Sequence, residues 1–359
     1  MVSISLCMIV KDEEETLGRC LNSIHDLVDE IVIIDTGSTD KTKEIASKFT
    51  DKIYDFKWCD DFSKARNYSF SKASKEYILW LDADDVILEK DRVKFKYLKE
   101  NLDNTYDIVM FKYDLNLDEH GIPALSYYRE RLLKRKNNYI WKSPIHEVIE
   151  LKGKILREDI SVTHKKEKVH DPNRNLKIFE KMIKNNITLD SRQTFYYARE
   201  LYYNGEYDKS VIYFNKFLDD ENGWIENKIS ACLDLYNLYT TEQNTQEALN
   251  SLFRSFKFDI PRAEICCNIA NYFLNNNNYN VAIFWYKEAS IKIYDVSKGG
   301  FYIKDCYNFI PYIGLCICYD KLGYHEIANY YNELAGSIKP NDKSYIHNFK
   351  YFKSLGLNK

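Results

Sequence analysis

"YILWLDADDVIL", residues 77–88, carries five apolar residues straight into three carboxylates. Charged groups are not left unpaired at the end of a buried strand, because desolvating them costs several kcal/mol each. Asp82, Asp84 and Asp85 therefore need cations or hydrogen-bond donors. Two other stretches share this grammar. "ISLCMIV" (4–10) is followed by Lys11, Asp12 and Glu13, and "EIVIID" (30–35) opens the hydroxyl-rich "DTGSTD" (35–40). Between them Leu17, Leu21, Ile24 and Val28 recur at helical spacing, which predicts a strand–helix–strand unit with parallel strands. "SKASKEYILWLD" supplies a helix end and a third buried strand, and "YDIVMFKYDL" (106–115) a fourth. The alternation predicts an α/β, Rossmann-like, mostly parallel sheet with helices on both faces and ligands beyond the carboxyl ends of its strands.

After about residue 170 the strand signals stop and Tyr-rich helical stretches repeat. They are "YNGEYDKSVIYFNKFL" (203–218), "EQNTQEALNSLFRSF" (242–256), "NNNNYNVAIFWYKEA" (275–289) and "KLGYHEIANYYNEL" (321–334). Taking Tyr207, Thr245, Tyr279 and Tyr324 as equivalent gives spacings of 38, 34 and 45 residues, the last stretched by "SKGG" at 297–300. A period near 34, with Ala248 and Ala282 three positions on, predicts tetratricopeptide-like helical pairs. Ala198, Ala231, Ala270 and Gly314 fall on the preceding helices, where close packing needs small side chains. The run Asn275–Asn278 reads as an ordered turn within one pair. The polar "KEKVHDPNRN" (166–175) is the expected linker, giving domains of 1–168 and 169–359.

A chain of 359 residues can hold two cores of ordinary size. A net charge of −3 provides no general field for nucleic acid or an anionic membrane. The first apolar run is too short for a signal peptide or membrane span, so the expected location is the cytoplasm. Nine cysteines without a secretion signal do not argue a disulfide framework. Cys7, Cys232, Cys267, Cys316 and Cys318 read as core thiols, and neither Cys266–Cys267 nor Cys316-x-Cys318 has zinc spacing.

Aspartates at i and i+2 of a strand end are expected on one side, and such an oxygen pair suits Mg²⁺ or Mn²⁺. "TGSTD" is expected to start a helix with Ser38 or Thr39 as N-cap. Asp40, Asp85 and Glu14 read as helix-capping or loop acids.

"SLCMIVKDEEETLGRCLNSI", "EIVIIDTGSTDKTKEIA" and "FSKARNYSFSKASKEYILWLDADD" together resemble the nucleotide-sugar-binding domain of family 2 glycosyltransferases, which has the GT-A fold. The resemblance spans roughly residues 1–165. The repeats behind it resemble the subgroup in which tetratricopeptide-like helices follow that domain, the architecture of sublancin-type peptide S-glycosyltransferases. By this resemblance Lys11, Glu13 and Asp35 would contact base and ribose, although Thr36 stands where many members carry a second aspartate. Arg66 of "ARN" would face the diphosphate. Asp84 and His164 would hold Mn²⁺ or Mg²⁺, with Asp82 on the ribose or a metal-bound water. In "IWKSPIHEVIE" (140–150), which follows the arginine-rich strand "RERLLKR", Glu147 would be the base of an inverting transfer and His146 would orient donor or metal. Trp141 reads as a sugar platform or a core residue. His25, His120, His170, His325 and His347 are assigned no role.

The implied activity is inverting transfer from a nucleotide-sugar, a UDP-sugar by the family's habit. Concave helical arrays suit extended chains, so the expected acceptor is a protein or peptide. The alternatives are a glycan or small acceptor with the repeats serving self-association as a homodimer, and an inactive scaffold. Asp82, Asp84, Glu147 and His164 are all present, so decay is not visible.

Overall fold

The computed structural model describes residues 1–117, 121, 123–165, 171–295, 299–300 and 302–357. They divide into two compact units, Met1–Thr188 and Leu189–Lys359.

The first unit is built on an eight-stranded sheet. From edge to edge its strands are β3 (Ile53–Asp55), β2 (Glu30–Asp35), β1 (Ile4–Val10), β4 (Tyr77–Trp80), β7 (Pro123–Lys134), β6 (Ile108–Leu117), β10 (Ile155–His164) and β5 (Asp85–Val86). Its central strands read as unbroken apolar runs because both faces are covered. On β1, Ile4, Leu6, Met8 and Val10 enter one core while Cys7 and Ile9 pack with the other. β4 divides likewise, with Tyr77 and Leu79 on one side and Ile78 and Trp80 on the other. The first core is covered by α1 (Leu17–Asn22) and α4 (Glu89–Asn101), which contribute Leu17, Cys20, Leu21, Phe95 and Leu98. The second is covered by α3 (Phe62–Lys72), through Phe70, and by the ribbon of β8 (Trp141–Lys142) and β9 (Val148–Ile149).

The expected parallel set is present in β3, β2, β1 and β4. The fourth strand read from the sequence, β6, does not continue it. β7 lies between β4 and β6, antiparallel to both, because β6 and β7 form a long hairpin whose return strand takes the place beside β4. β10 then runs parallel to β6, and β5 closes the edge antiparallel to β10. "RERLLKR" is the end of that return strand.

The helix expected after "DTGSTD" starts later than Ser38 or Thr39: α2 spans Thr42–Ala46. The Asp35 carboxylate takes the N–H groups of Gly37 and Ser38, both at 2.9 Å, and Gly37 has φ +109°. That turn delays the helix, and Ser38 and Thr39 bond to Asp12 instead.

The expected boundary at 168/169, with His170 and the first half of the linker, lies outside the described residues, as does His120. The first unit continues through α5 (Arg174–Lys184), which buries Ile178, Phe179 and Met182. Lys181 pairs with Asp60 at 2.5 Å, and the Arg174 guanidinium lies 4.8 Å from the Phe62 ring.

The second unit is helical throughout its described residues. Consecutive pairs are α6 (Ser191–Tyr203) with α7 (Tyr207–Asp219), α8 (Ile225–Thr241) with α9 (Thr245–Arg254), α10 (Ala263–Asn275) with α11 (Tyr279–Ser290), and α12 (Phe309–Lys321) with α13 (His325–Ile338). α14 (Lys343–Ser354) follows. Tyr207, Thr245 and Tyr279 each begin the second helix of a pair, whereas Tyr324 is one residue early, the cap before His325. Three positions into each second helix stand Ser210, Ala248, Ala282 and Ala328, all buried. Ala198, Ala231, Ala270 and Gly314 are buried on the first helices. A Cβ on Gly314 would lie 2.3 Å from the Tyr286 ring, so only glycine permits this approach of α12 to α11. The asparagine run is an ordered turn, with Asn277 left-handed at φ +58°. The nine cysteines are free thiols, of which only Cys59 is exposed. No helix among the described residues is long and apolar enough to cross a membrane.

Candidate active site

The carboxyl ends of β1, β2 and β4 carry the acids read from the sequence. Asp35 ends β2 and is buried, and its Oδ2 has no hydrogen-bond partner among the described residues. Lys11 is exposed just past β1, while Glu13 accepts from the Thr16 hydroxyl at 2.6 Å. The β1 and β2 loops are stitched together by Asp12, whose carboxylate takes the Thr39 N–H at 2.7 Å, and by Thr42, whose hydroxyl accepts the Glu13 N–H at 2.6 Å. Thr36 is buried with its hydroxyl donating to the Val10 carbonyl at 3.0 Å, so that side chain faces the sheet rather than a ligand.

The aspartates of "LDADD" diverge. β4 ends at Trp80, and the chain turns so that the Asp85 N–H reaches the Asp82 carbonyl at 3.1 Å. Side-chain alternation along a strand therefore no longer governs the i, i+2 pair. The Asp82 carboxylate pairs with Arg66 at 2.8 Å, whereas Asp84 faces His164, Oδ1 to Nδ1 at 3.4 Å. Burial would raise the Asp82 carboxyl, but the guanidiniums of Arg66, Arg131 and Arg129 outweigh it and hold the group well below the usual carboxylate range.

Asp85 corrects its reading as a capping acid: it is fully buried and belongs to the site. Pairing of β5 with β10 sets Asp85 opposite His164, and the Lys165 N–H donates to the Asp84 carbonyl at 2.9 Å. Asp85 Oδ2 accepts from the Asp82 N–H and from Arg131 Nη1, each at 3.0 Å, while Oδ1 stands 3.7 Å from His164 Nδ1. Arg131 is itself fully buried and lies against Trp80 at 3.9 Å and Tyr113 at 4.5 Å. The Tyr113 hydroxyl is 3.0 Å from His164 Nδ1.

Asp84, Asp85 and His164 each offer one ligand atom, all within 4.8 Å of one another. The residues fit a divalent cation. Asp85 Oδ1 is buried without a hydrogen-bond partner among the described residues, and an O, O, N donor set suits Mn²⁺ better than Mg²⁺. The contacts to Asp84 and Asp85 push the His164 imidazole up to about 9, so a cation bound there would displace a proton.

Glu147 is brought to the same region by the loop from β8 to β9. α3 holds that loop at three points. Asn67 exchanges two hydrogen bonds with the Trp141 backbone, at 2.8 and 2.9 Å; the Phe62 N–H donates to the Pro144 carbonyl at 2.8 Å; and Arg66 Nε donates to Glu147 Oε1 at 2.6 Å. Ser143 and His146 take positive φ, at +78° and +49°, a cost of order 1 kcal/mol each that the anchoring overrides. The His146 ring stacks on Phe179 of α5 at 6.3 Å. Trp141 is buried against Phe70 and Trp80, so the sugar-platform reading gives way to the core one.

The structure thus joins Arg66, Asp82 and Glu147 in one ion-paired group and Asp84, Asp85 and His164 in another. Asn67, Asp85, Arg131 and Tyr113 were not assigned site roles from the sequence. For Asp85 the signal was present in "DADD", since a third acid against a buried strand needs a partner as much as the first two.

A sheet with acids gathered past the carboxyl ends of its parallel strands defines an α/β ligand-binding domain. Residues 5–157 match the family described as glycosyl transferase family 2. A TPR repeat-containing protein of Synechococcus elongatus is 38% identical over 152 residues, 42% of this chain and 36% of that protein. The SPbeta prophage-derived glycosyltransferase SunS of Bacillus subtilis is 25% identical over 257 residues, 64% of this chain and 58% of the relative. The chain therefore spans from about a third to under two thirds of these relatives. Among solved structures, S. aureus TarS 1–349 with UDP-GlcNAc aligns at 13% identity and TM-score 0.37, covering 71% of this chain and 91% of that one. MamA aligns at 21% identity and TM-score 0.35 over 45% of this chain and 85% of that one.

Proposed function

We propose that this chain is an inverting glycosyltransferase that moves a sugar from a UDP-sugar to a protein or peptide. The observation that carries the reading is the meeting of a three-ligand cation cluster and an arginine-bound glutamate beyond the strands of a matched family 2 domain. Asp84, Asp85 and His164 would hold Mn²⁺ or Mg²⁺, which when bound neutralises the departing diphosphate. Asp35, through its unpartnered oxygen, would accept from the base or ribose, with Lys11 and Glu13 beside it. Glu147 would take the proton of the acceptor hydroxyl or thiol as its oxygen or sulfur attacks the anomeric carbon and the bond to the diphosphate breaks. His146, seated on Phe179, would shape the donor's sugar end. The helical pairs would recruit the acceptor, because every donor group named here lies in the first unit. The experiment is hydrolysis of a panel of UDP- and GDP-sugars without acceptor, with Mn²⁺ and then with excess chelator. Release of UDP that stops on chelation is expected; no turnover of any nucleotide-sugar would leave the scaffold reading standing.

A further inference from the structure

Arg66 is placed by family resemblance against the diphosphate of a donor, but its hydrogen bonds go elsewhere. Nε donates to Glu147 at 2.6 Å and Nη2 to Asp82 at 2.8 Å, so one edge of the fork bridges two carboxylates that are 65 positions apart in sequence. Its guanidinium carbon lies 5.0 Å from the Trp80 ring and 5.0 Å from the Trp141 ring. Only 10% of the side chain is exposed. Two of its five N–H donors are thus committed to carboxylates by charge-assisted hydrogen bonds. The neighbouring Asn67 binds the backbone of the same loop at Trp141. One turn of α3 therefore fixes both where the 141–147 loop lies and where its glutamate points.

From this geometry we infer that Arg66 is a positioning residue that aims Glu147 and Asp82 at the reacting end of the donor through the edge formed by Nε and Nη2. With Nε on Glu147 Oε1, the carboxylate is fixed in rotation and its Oε2 is the oxygen left to meet an acceptor. Arg66 packs beside the two indoles, which meet edge to face, as a flat cation, a shape that lysine does not reproduce. The inference rests on the reading of Glu147 as the base, and the experiment separates the two.

The full-length chain would be compared with Arg66→Lys, Arg66→Ala, Glu147→Gln and the Arg66→Lys/Glu147→Gln double variant. Binding of UDP with Mn²⁺ is measured by calorimetry, and turnover by hydrolysis of the best nucleotide-sugar of the panel. A positioning role predicts that Arg66→Lys lowers kcat by about 10–100-fold while the Kd for UDP changes less than about threefold. The double variant should be no more than about twofold slower than Glu147→Gln, because residues acting as one unit are non-additive. Guanidinium ion should restore part of the turnover of Arg66→Ala, and urea, flat but neutral, should not. If Arg66→Ala does not fold, the cycle with Arg66→Lys decides alone. UDP binding weakened about tenfold or more at unchanged kcat would make Arg66 a diphosphate ligand, and fully additive losses would mean that it does not act through Glu147. Glu147→Gln hydrolysing at the wild-type rate would remove the base assignment itself, whatever Arg66 does.

Discussion

The two ends of β2 carry a buried carboxylate each, and they are treated oppositely. At the amino end both oxygens of Glu30 are engaged, by Lys52, the Ser5 hydroxyl, the Ser74 hydroxyl at 2.8 Å and the Ser74 N–H at 2.7 Å. At the carboxyl end Asp35 is more deeply buried, yet its Oδ2 has no partner among the described residues. Asp85 is likewise buried, and its Oδ1 has no hydrogen-bond partner among the described residues, with His164 Nδ1 3.7 Å away. In the helical unit Glu226 and Glu264 resemble the amino end. Glu226 of α8 takes a two-pronged hydrogen bond from Arg262, the cap of α10, and Glu264 of α10 accepts from Ile303 N–H at 2.7 Å and the Tyr307 hydroxyl at 3.1 Å. These contacts join one helical pair to the next. Glu30, Glu226 and Glu264 have their capacity met within the fold, whereas Asp35 and Asp85 keep an oxygen to spare beyond the strand ends. Spare capacity alone does not mark a site, since Asp91 Oδ2 of α4 is also buried without a hydrogen-bond partner among the described residues.

That contrast can be broken most sharply at the site. Asp84→Ala should lower metal-dependent hydrolysis of a nucleotide-sugar by about 10³-fold while thermal stability moves little, because Asp84 is not consumed by the fold. Activity persisting in excess chelator would remove the cation assignment. Glu147→Gln keeps the shape of the side chain but not its basicity, and transfer should fall by about 10²–10³-fold with UDP affinity nearly unchanged.

The structural charges should answer the other way. Glu226→Ala strands Arg262 against Asp259 alone and should cost about 3 kcal/mol in urea unfolding, with nucleotide-sugar hydrolysis per folded molecule unaltered. A loss of turnover larger than the loss of folded protein would mean that the repeats also serve the chemistry. Gly314→Ala probes the same unit without charge. Its methyl group meets the buried Tyr286 ring, so overpacking of about 2 kcal/mol is expected, read as a lowered Tm.

The smallest effect lies at Glu30. Burial works against its charge, but Lys52, Ser5 and Ser74 prevail and hold it down to about 2. A carboxyl lowered in the fold stabilises it above its ordinary value and loses that contribution as pH falls. Glu30→Gln should therefore be less stable than wild type by on the order of 1 kcal/mol at pH 6, with the gap closing between about pH 4.5 and pH 2. A gap constant across that window would show that the charge of Glu30 contributes nothing.

What the sequence determined by itself is whatever repeats over a short distance. The continuous apolar runs of β1, β2 and β4, the change to helical spacing after about residue 170, and the repeat near 34 residues with Ala248 and Ala282 in matching places are local patterns, each set by burial. The acids at the strand ends were legible for the same reason. Which acid does what was not. β7 entering between β4 and β6 puts Arg131 beside Asp85, and the pairing of β5 with β10 brings His164 to Asp84. α3 carries Arg66 to Glu147, a residue 81 positions away. These are long-range pairings fixed by sheet order, and no spacing along the chain encodes them. The turn at Asp82–Asp85 makes the point in four residues. Extended, Asp82 and Asp84 would face the same way, but one backbone hydrogen bond across the turn sends the first to an arginine and the second to a histidine. Carboxylates in a buried place go to whatever cation or donor the tertiary structure supplies, because leaving them unpaired costs more than bending the chain.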